Sequence, residues 1–442
     1  MSPTAPMLTR PTQEVATPFW KRLLPIYFSL ACGALLPFVL APVIIRSEGL
    51  QVYGHYATLI LSTQIGLVIS EYSFDYTGPR MVLAHSSRSQ AENQALNAYC
   101  RVLALKLLLL PVALMVSVLA YYALTRGAPQ TSEIAAMLLM ISGTALVGGW
   151  YLIASGQTLI YGMGTGLTRI ATVTLSLILL HFEPLQTTDG LELFFAFSTP
   201  TFAFGLVIAG RARAKHRRNI EGTGNVGPIA SAVNLGGMFK TLKDGLPAFA
   251  GNALATAQNW IGPMLVGLVS GPEAVGIYNA LERPMRFVTS GLRPLFQVLY
   301  PHMVSMHVSS SIAARGLLIK LVMGSLILGT IFVSATLVYS EQLVVALFGS
   351  SLVDYHFVLP IFAAWLSLGL MNNFVGIQGL LASERDRKYS TGILIGFITT
   401  ATLALVLSGQ SPYIFWVAIA VLLGEALAAI YYLRAVTSVM HK

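Results

Sequence analysis

Charged residues and cysteines are scarce in this sequence. Of its 442 residues, 10% are charged and 55% are apolar, and there are 2 cysteines. Because soluble globular domains carry roughly a quarter of charged residues, this composition excludes a water-soluble fold. Cys32 and Cys100 lie in or beside apolar runs without a characteristic spacing, so they form neither a disulfide framework nor a metal-binding knot. We interpret both as packing residues.

Apolar runs long enough to cross a bilayer recur from Leu23 to Leu433. A transmembrane helix needs ~20 apolar residues, each adding ~1.5 Å of length. The runs are unbroken blocks rather than the ~10-residue alternating segments of a membrane β-barrel. We therefore predict an all-α polytopic membrane protein with about twelve transmembrane helices. The predicted spans are 23–45, 53–76, 98–124, 134–156, 167–184, 191–210, 245–270, 276–300, 316–340, 357–382, 391–408 and 412–433.

The placement of basic residues predicts the orientation of the spans. The formal net charge is +9, and most Lys and Arg residues lie in alternate connections, with the densest group at 211–218 and Arg169 at the start of the fifth span. The other connections hold only Arg46 and Arg126. By the positive-inside rule both termini are cytoplasmic, so the excess charge indicates topology rather than nucleic-acid binding. The first span is too long for a secretory signal, and we expect it to be retained.

The two halves of the chain repeat one another. A shift of 222 positions aligns residues of the same type without a gap. The aligned pairs include Lys21 and Lys243, Pro25 and Pro247, Gly49 and Gly271, Gly54 and Gly276, Tyr56 and Tyr278, Leu59 and Leu281, and Phe74 and Phe296. We predict an N-terminal six-helix lobe (1–210), a glycine-rich cytoplasmic linker (211–244) and a C-terminal six-helix lobe (245–442). Six spans per half make the repeat parallel, and such lobes normally flank a central cavity. A second glycine-rich segment, 162–166, is predicted as a turn between the fourth and fifth spans.

Three arginines mark the eighth predicted span. Arg283, Arg286 and Arg293 lie in a mostly apolar segment and fall within an arc of roughly 80° on one helical face. Each would cost roughly 2.5–3.5 kcal/mol if it faced lipid, so we expect the three side chains to line water or to bind an anion. A guanidinium suits phosphate because it offers paired hydrogen bonds and a permanent charge. The alternative is that Glu282 and other carboxylates neutralise the arginines as structural ion pairs.

The repeat predicts a different character for the opposite wall of the cavity. Arg286 aligns with Gln64, and Arg293 aligns with Glu71. One lobe is therefore cationic where the other is polar or acidic, and a cavity between them could hold a diphosphate on one wall and a sugar on the other. Gln64 and Asn259 are polar positions within spans that could bind sugar hydroxyls. The alternative for both is hydrogen bonding between helices.

Three carboxylates within spans are candidates for ion coupling. Glu71 and Asp75 lie four residues apart near the cytoplasmic end of the second span, and Glu425 lies deeper in the twelfth. Intramembrane carboxylates can carry a proton or a sodium ion, although the first two could instead form ion pairs with nearby basic residues. Those basic residues are Arg80, Arg101 and Lys106. The sequence contains no catalytic constellation, cofactor motif or metal-ligand spacing, so we expect a secondary transporter without a cofactor rather than an enzyme.

Four segments carry a family resemblance. They are Leu24-Pro25, Arg46-Ser47-Glu48-Gly49, Tyr53-Gly54-His55-Tyr56-Ala57, and Gly276-Ile277-Tyr278 through Tyr300-Pro301. In these segments, and loosely over nearly the whole chain, the sequence resembles the polysaccharide (O-antigen and exopolysaccharide) flippases of the MOP superfamily, which also contains the MATE exporters and the lipid II flippases. The resemblance implies alternating access and transport of an undecaprenyl-diphosphate-linked oligosaccharide from the cytoplasmic to the periplasmic leaflet. The cationic lumen of such flippases is carried over only onto Arg283, Arg286 and Arg293.

Three other functions would each predict a sequence feature that does not match this chain. A MATE-type exporter of cationic drugs should line its cavity with acids. A lipid II-type exporter should carry basic residues in the middle of its first span and two further helices. A membrane-embedded polysaccharide polymerase or ligase typically needs a large periplasmic loop, and the predicted extracytoplasmic connections are short.

The flippase interpretation also predicts a location and partners. We expect a monomeric, multi-pass protein of the bacterial inner membrane that serves exopolysaccharide or O-antigen biosynthesis. Its expected partners are the lipid-linked oligosaccharide, the lipid bilayer and, as further candidates, polysaccharide polymerase and export proteins.

Overall fold

The structure, a computed structural model, describes residues 19–75, 77–78, 88–182, 190–223 and 235–440. Within these ranges most residues belong to helices and none belongs to a β-strand. The predicted all-α class is therefore confirmed.

The helices are numbered here in chain order. In the first half they are α1 (Phe19–Glu48), α2 (Leu50–Glu71), α3 (Arg88–Thr125), α4 (Thr131–Val147), α5 (Gly149–Ala154), α6 (Thr158–Phe182) and α7 (Leu191–Thr223). In the second half they are α8 (Leu235–Ser309), α9 (Ser311–Phe348), α10 (Leu359–Asn372), α11 (Asp386–Val406) and α12 (Tyr413–Met440). A 3-10 segment, Gly349–Val358, joins α9 to α10, and a π-helical segment, Asn373–Leu380, continues α10 before a short 3-10 turn, Leu381–Ser383.

Ten helical stretches in the described ranges are long and apolar enough to cross a bilayer. Two of them, Met238–Leu292 and Ile312–Ser383, are 55 and 72 residues long, which exceeds what a single crossing needs. The first stretch contains a break at Gly271, and the second contains the 3-10 segment Gly349–Val358. The chain is a multi-pass membrane protein, and a total of twelve spans stays a prediction.

The break in α8 divides it into two arms, 235–270 and 272–309. At the break, Gly271 has φ 82° and ψ −173°, and its partner in the predicted repeat, Gly49, has φ 90° and ψ 174° between α1 and α2. Glycine reaches this positive-φ conformation without the steric cost that a Cβ would impose. The aligned glycines therefore make the same turn in both halves, as the repeat predicts.

The N-terminal end of α2 packs closely against the second arm of α8. A Cβ on Gly54 would lie 2.6 Å from the carbonyl oxygen of Pro272, and a Cβ on Gly276 would lie 2.7 Å from the Cα of Gly54. Glycines at a helix crossing let the two backbones approach each other. Nearby, the guanidinium of Arg46 at the end of α1 donates hydrogen bonds to the carbonyl oxygens of Val345 (3.1 Å) and Ala346 near the end of α9. These contacts join the two halves on one side of the protein.

The other end of α2 also contacts α8. The ring of Tyr72 stacks on the ring of Phe249 with centroids 4.5 Å apart, and its hydroxyl donates to the Leu242 carbonyl oxygen at 3.1 Å. The Ser73 hydroxyl donates to the Ala248 carbonyl oxygen at 3.2 Å. The first arm of α8 therefore contacts α2 near the C-terminal end of α2, and the second arm contacts it near the N-terminal end.

The glycine-rich segment 162–166 is helical and lies within α6, so its prediction as a turn was wrong. Two of its glycines make room for α1 instead. A Cβ on Gly162 would collide with the backbone of Pro25, and a Cβ on Gly166 would collide with the ring of Phe28. Glycine here reflects close helix packing rather than a chain reversal.

The predicted linker is helical at both of its ends. Helix α7 continues through the basic residues to Thr223, because Ala, Arg and Lys favour the helix once it has left the apolar layer. Helix α8 begins at Leu235, and residues 224–234 lie outside the described part of the chain. The predicted lobe boundaries, 1–210 and 245–442, stay predictions.

Candidate functional site

A cavity of about 620 Å³ is lined mainly by the helices of the first half, α1 to α7, and the second half closes it with Trp260, Asn279, Arg283 and Arg286 of α8. Five of the residues predicted from the sequence line it, and they come from α2, the residues just after it, and α8. They are Gln64, Glu71, Asp75, Arg283 and Arg286. Side chains that are far apart in the sequence thus meet at one site, because α2 and α8 cross beside it.

Arg286 is held in place by three contacts. Its Nε donates to Glu282 Oε2 at 2.7 Å, and its Nη2 donates to the carbonyl oxygen of Asn259 at 2.7 Å. The guanidinium carbon lies 5.1 Å from the centre of the Trp260 ring, a cation–π contact. The side chain of Arg286 is 29% exposed and that of Glu282 is 3% exposed. Both predicted alternatives therefore apply to this arginine, which pairs with a buried carboxylate and also faces the cavity.

Arg283 reaches the cavity one turn away and contacts a neutral group. Its Nε donates to the hydroxyl of Tyr53 at 3.3 Å, and Tyr53 is fully buried in α2. A phenol orients the guanidinium without cancelling its charge. The positive charge of Arg283 thus remains directed at the cavity, which it lines together with Tyr56.

Two other predicted substrate residues are placed differently. Arg293 belongs to the second arm of α8, and its side chain lies outside the described structure. The amide of Asn259 donates to the carbonyl oxygen of Ala255 at 3.1 Å, one turn back along its own helix. Asn259 therefore contributes to the site through its backbone carbonyl, which binds Arg286, rather than through the amide that the sequence suggested.

Glu71 and Asp75 line the cavity close to a lysine. Lys106 of α3 lines the same cavity and is 3% exposed, and its charge acts on the carboxyl of Glu71. Of the three basic residues predicted as pairing partners, Lys106 is thus placed at the site, whereas Arg80 lies outside the described residues. The ion-coupling role of the two carboxylates stays a prediction.

Glu425 lies apart from this cavity, among amide side chains of the C-terminal half. Its carboxylate accepts hydrogen bonds from Asn372 Nδ2 at 2.5 Å and from Gln258 Nε2 at 3.4 Å. Three further amide oxygens in the same half are buried without a hydrogen-bond partner in the described structure, and they belong to Asn372, Asn373 and Gln378. The π-helical segment Asn373–Leu380 follows Asn372 directly.

The structure adds two cations that the sequence analysis did not assign to the site. Arg169 lies eleven residues inside α6 and lines the cavity, rather than opening a span at its cytoplasmic edge as predicted. Gly33 of α1 leaves space for it, because a Cβ there would overlap the guanidinium of Arg169. Lys106 is the second cation. Hydropathy placed the start of this span at residue 167, whereas α6 begins at Thr158. The sequence analysis therefore put Arg169 at the edge of the span instead of inside the helix.

The charges therefore lie on both walls of the cavity. Four cations line it, namely Lys106, Arg169, Arg283 and Arg286, together with the carboxylates of Glu71 and Asp75. The predicted contrast between a cationic half and an acidic half is wrong in this respect, because each half contributes two cations. The cations are spread along the cavity, because Arg283 contacts Tyr53 near the start of α2 whereas Lys106 acts on Glu71 at its end.

Comparisons with known proteins agree with the resemblance seen in the sequence. The family model described as "Polysaccharide biosynthesis protein" matches residues 22–307. A protein of Escherichia coli (strain K12), named as a candidate O-antigen transporter, is 21% identical over 372 residues, which cover 83% of this chain and 84% of that protein.

Two solved structures share the fold. The lipid II flippase MurJ in an inward closed conformation aligns with a TM-score of 0.69 and 11% identity over 94% of this chain and 87% of that one. A multidrug resistance MATE family transporter of the MOP superfamily, in an inward-facing conformation, aligns with a TM-score of 0.59 and 12% identity over 95% of this chain and 96% of that one. The fold is therefore the two-lobe helical fold of MOP superfamily transporters. Because the family match covers more than half of the chain, the protein belongs to the polysaccharide biosynthesis protein family.

Proposed function

We propose that the protein is a flippase that moves an undecaprenyl-diphosphate-linked oligosaccharide from the cytoplasmic to the extracytoplasmic leaflet, for O-antigen or exopolysaccharide biosynthesis. The family match and the E. coli relative named for O-antigen transport support the class of cargo. The fold shared with a lipid II flippase supports the type of transport. The protein acts in this proposal as a transporter rather than an enzyme.

The four cations of the cavity are the observation that carries this proposal. A diphosphate presents several oxygens, and guanidinium groups bind such oxygens through paired, charge-assisted hydrogen bonds. Arg283 and Arg286 approach from α8, while Arg169 and Lys106 approach from the N-terminal half. In this proposal Arg283 and Arg286 bind the diphosphate first, and Arg169 and Lys106 offer further positions for it along the cavity. A MATE-type exporter of cationic drugs would meet repulsion at the same four positions.

The size of the cavity limits how much cargo it encloses. Small-ligand pockets measure roughly 300–1,000 Å³, and about 620 Å³ falls within that range. The cavity suits the diphosphate and the first sugars, so the lipid tail and the distal sugars extend beyond it. Gln64 lines the cavity and is the predicted residue best placed to bind a sugar hydroxyl.

Alternating access in this proposal uses the two contacts of α2 with α8. The Gly54–Gly276 contact seals the extracytoplasmic side, and the Tyr72–Phe249 stack seals the cytoplasmic side. Opening one contact at a time exposes the cavity to one leaflet at a time. The lobes 1–210 and 245–442 move relative to each other in this scheme.

Glu425 is the proposed ion-coupling residue, with Glu71 and Asp75 as the alternative. A carboxylate surrounded by the amides of Asn372 and Gln258 can hold a proton or a sodium ion within the membrane. Its position away from the cavity separates ion binding from cargo binding.

We place the protein in the bacterial inner membrane as a monomer with cytoplasmic termini, where a polysaccharide polymerase and export proteins would act after it.

Replacing the cavity arginines tests the proposal in cells. We expect Arg283→Ala and Arg286→Ala to abolish surface polysaccharide while lipid-linked oligosaccharide accumulates in the cytoplasmic leaflet. The control is Arg387→Ala, which removes the same charge from an exposed position in α11. Membrane insertion is checked by quantifying the protein in the membrane fraction. Normal surface polysaccharide in both cavity variants would rule out the proposed anion site.

A further inference from the structure

A second cavity lies at the cytoplasmic end of α7 and has a volume of about 490 Å³. Its walls come from α5, from the turn that follows α5, and from α7. The lining residues are Tyr151, Leu152, Gln157, Ile208, Arg211, Ala212, Ala214 and Lys215. None of these residues lines the 620 Å³ cavity, because Gly149, Trp150 and Ile153 of α5 face that cavity instead. The short helix α5 therefore separates the two cavities.

The depth of the second cavity matches the level of the lipid headgroups. Arg211 lies twenty residues after the start of α7 at Leu191, a distance of about 30 Å in a helix. The hydrocarbon layer of a bilayer is about 30 Å thick. Tyr151 belongs to α5, which follows directly after α4, the helix that packs beside α7. The Arg211 wall thus leaves the apolar layer at headgroup depth, on the side that the basic residues identify as cytoplasmic.

The cavity combines a cationic rim with an apolar base. Arg211 and Lys215 are one helical turn apart, so their side chains share a face of α7. Below them, Leu152, Ile208 and Ala212 are buried. Among the described residues that line the cavity, none is acidic.

The third wall has a fixed backbone. Gly156 has φ 74°, and the amide of Gln157 donates to the Leu152 carbonyl oxygen at 2.7 Å. The side chain of Gln157 donates from Nε2 to the Ser155 hydroxyl at 3.1 Å. The turn therefore holds the side-chain amide of Gln157 in a fixed position at the cavity wall.

We propose that this cavity binds the phosphate of an anionic phospholipid headgroup in the cytoplasmic leaflet. Arg211 and Lys215 bind the phosphate oxygens, and the buried apolar residues below them hold this part of α7 against α5. Cationic pockets between transmembrane helices on the cytoplasmic side attract such headgroups. The site goes beyond the proposed cargo transport and does not depend on it. The cargo diphosphate offers the same chemistry, and the experiment separates the two sources.

The test measures lipid retention by the full-length protein purified in detergent and analysed by native mass spectrometry. The probes are phosphatidylglycerol and phosphatidylcholine with the same acyl chains, and undecaprenyl diphosphate. The variant is Arg211→Gln with Lys215→Gln, and the matched control is Arg213→Gln with Arg217→Gln, which removes the same charge from exposed positions on the same helix. We expect the variant to lower phosphatidylglycerol retention by about tenfold or more and the control to lower it by less than about twofold.

Several results would overturn the proposal. Equal losses in the variant and the control would mean that the basic segment attracts lipid only through its overall charge. Equal retention of the two phospholipids by the wild-type protein would exclude an anionic headgroup site. If undecaprenyl diphosphate is lost from the variant while phosphatidylglycerol is not, the cavity belongs to the cargo. Should the variant elute as an aggregate, Lys215→Met alone is tested, and unchanged phosphatidylglycerol retention would count against the site.

Discussion

At the scale of single residues, the two arginines that α8 contributes to the main cavity are each held by a specific neighbour. Arg286 binds Glu282, and Arg283 binds the neutral hydroxyl of Tyr53. The sequence predicted both arginines because a charge in an apolar span is costly unless it faces water or a ligand. It did not predict Arg169, since the role of that residue depends on the space that Gly33 leaves on another helix.

Gly33→Ala tests the role of Arg169 without removing its charge. The new methyl group would overlap the guanidinium, which lies at the end of a flexible side chain and can swing away. Alanine is about 1 kcal/mol more favourable than glycine in a helix, so the fold should not suffer. We expect transport of the lipid-linked oligosaccharide to fall several-fold while the melting temperature stays the same or rises.

The control for this substitution is Gly251→Ala, because a Cβ at Gly251 meets no atom within 4 Å. Transport by the control should match the wild type. If Gly33→Ala also transports at the wild-type rate, the position of Arg169 does not matter for cargo binding.

Glu425→Gln tests ion coupling at a residue outside the cavity. Glutamine retains an acceptor oxygen for Asn372 but can neither lose a proton nor carry a negative charge. We expect cargo to move down its own gradient at a near-normal rate, while accumulation driven by a proton or sodium gradient stops. The measurement compares both modes in liposomes with and without an imposed ion gradient. Normal ion-driven accumulation would transfer the coupling role to Glu71 and Asp75.

At the scale of helices, hydropathy located the apolar part of each span but not its ends. Helix α6 begins nine residues before the predicted span, and α7 continues to Thr223, beyond the predicted end at residue 210. Hydropathy reports contact with lipid, whereas a helix continues as long as its backbone hydrogen bonds are satisfied. The glycines of α6 were misinterpreted for a related reason, since glycine serves both turns and close helix packing.

The two contacts of α2 with α8 lead to a prediction about access. A Cβ on Gly54 would lie 2.6 Å from a backbone oxygen of Pro272, which cannot move away alone. Gly54→Ala should therefore loosen the extracytoplasmic seal and favour opening on that side. The test protein carries Gln64→Cys together with Cys32→Ser and Cys100→Ser, so that position 64 holds its single cysteine. The measurement is the rate at which a membrane-impermeant thiol reagent, added from outside, labels this cysteine.

We expect labelling at position 64 to be several-fold faster with Gly54→Ala than without it. Gly324→Ala in α9 is the control, because a Cβ there meets no atom within 4 Å. Equal labelling rates in all three proteins would show that the Gly54–Gly276 contact does not seal the cavity.

At the scale of the whole molecule, the internal repeat predicted more than composition did. The 222-residue shift aligned Gly49 with Gly271, which make the same turn, and Gly54 with Gly276, which touch each other. Together with the charged span, it indicated a cavity between two lobes. The shift could not predict the cations on the N-terminal wall, because Arg169 and Lys106 reach the cavity only through the packing of α6 and α3 around it.

The central claim is that cations on both sides of one cavity bind the diphosphate of a lipid-linked oligosaccharide during its transfer between leaflets. Its most direct test is reconstitution of the purified protein in liposomes that contain a fluorescent undecaprenyl-diphosphate oligosaccharide, with the outer-leaflet fraction followed by a membrane-impermeant quencher. We predict that the wild-type protein and Arg387→Gln equilibrate the lipid at the same rate and that Arg283→Gln with Arg286→Gln slows this by about tenfold or more. Equilibration at the wild-type rate by the double variant would contradict the claim.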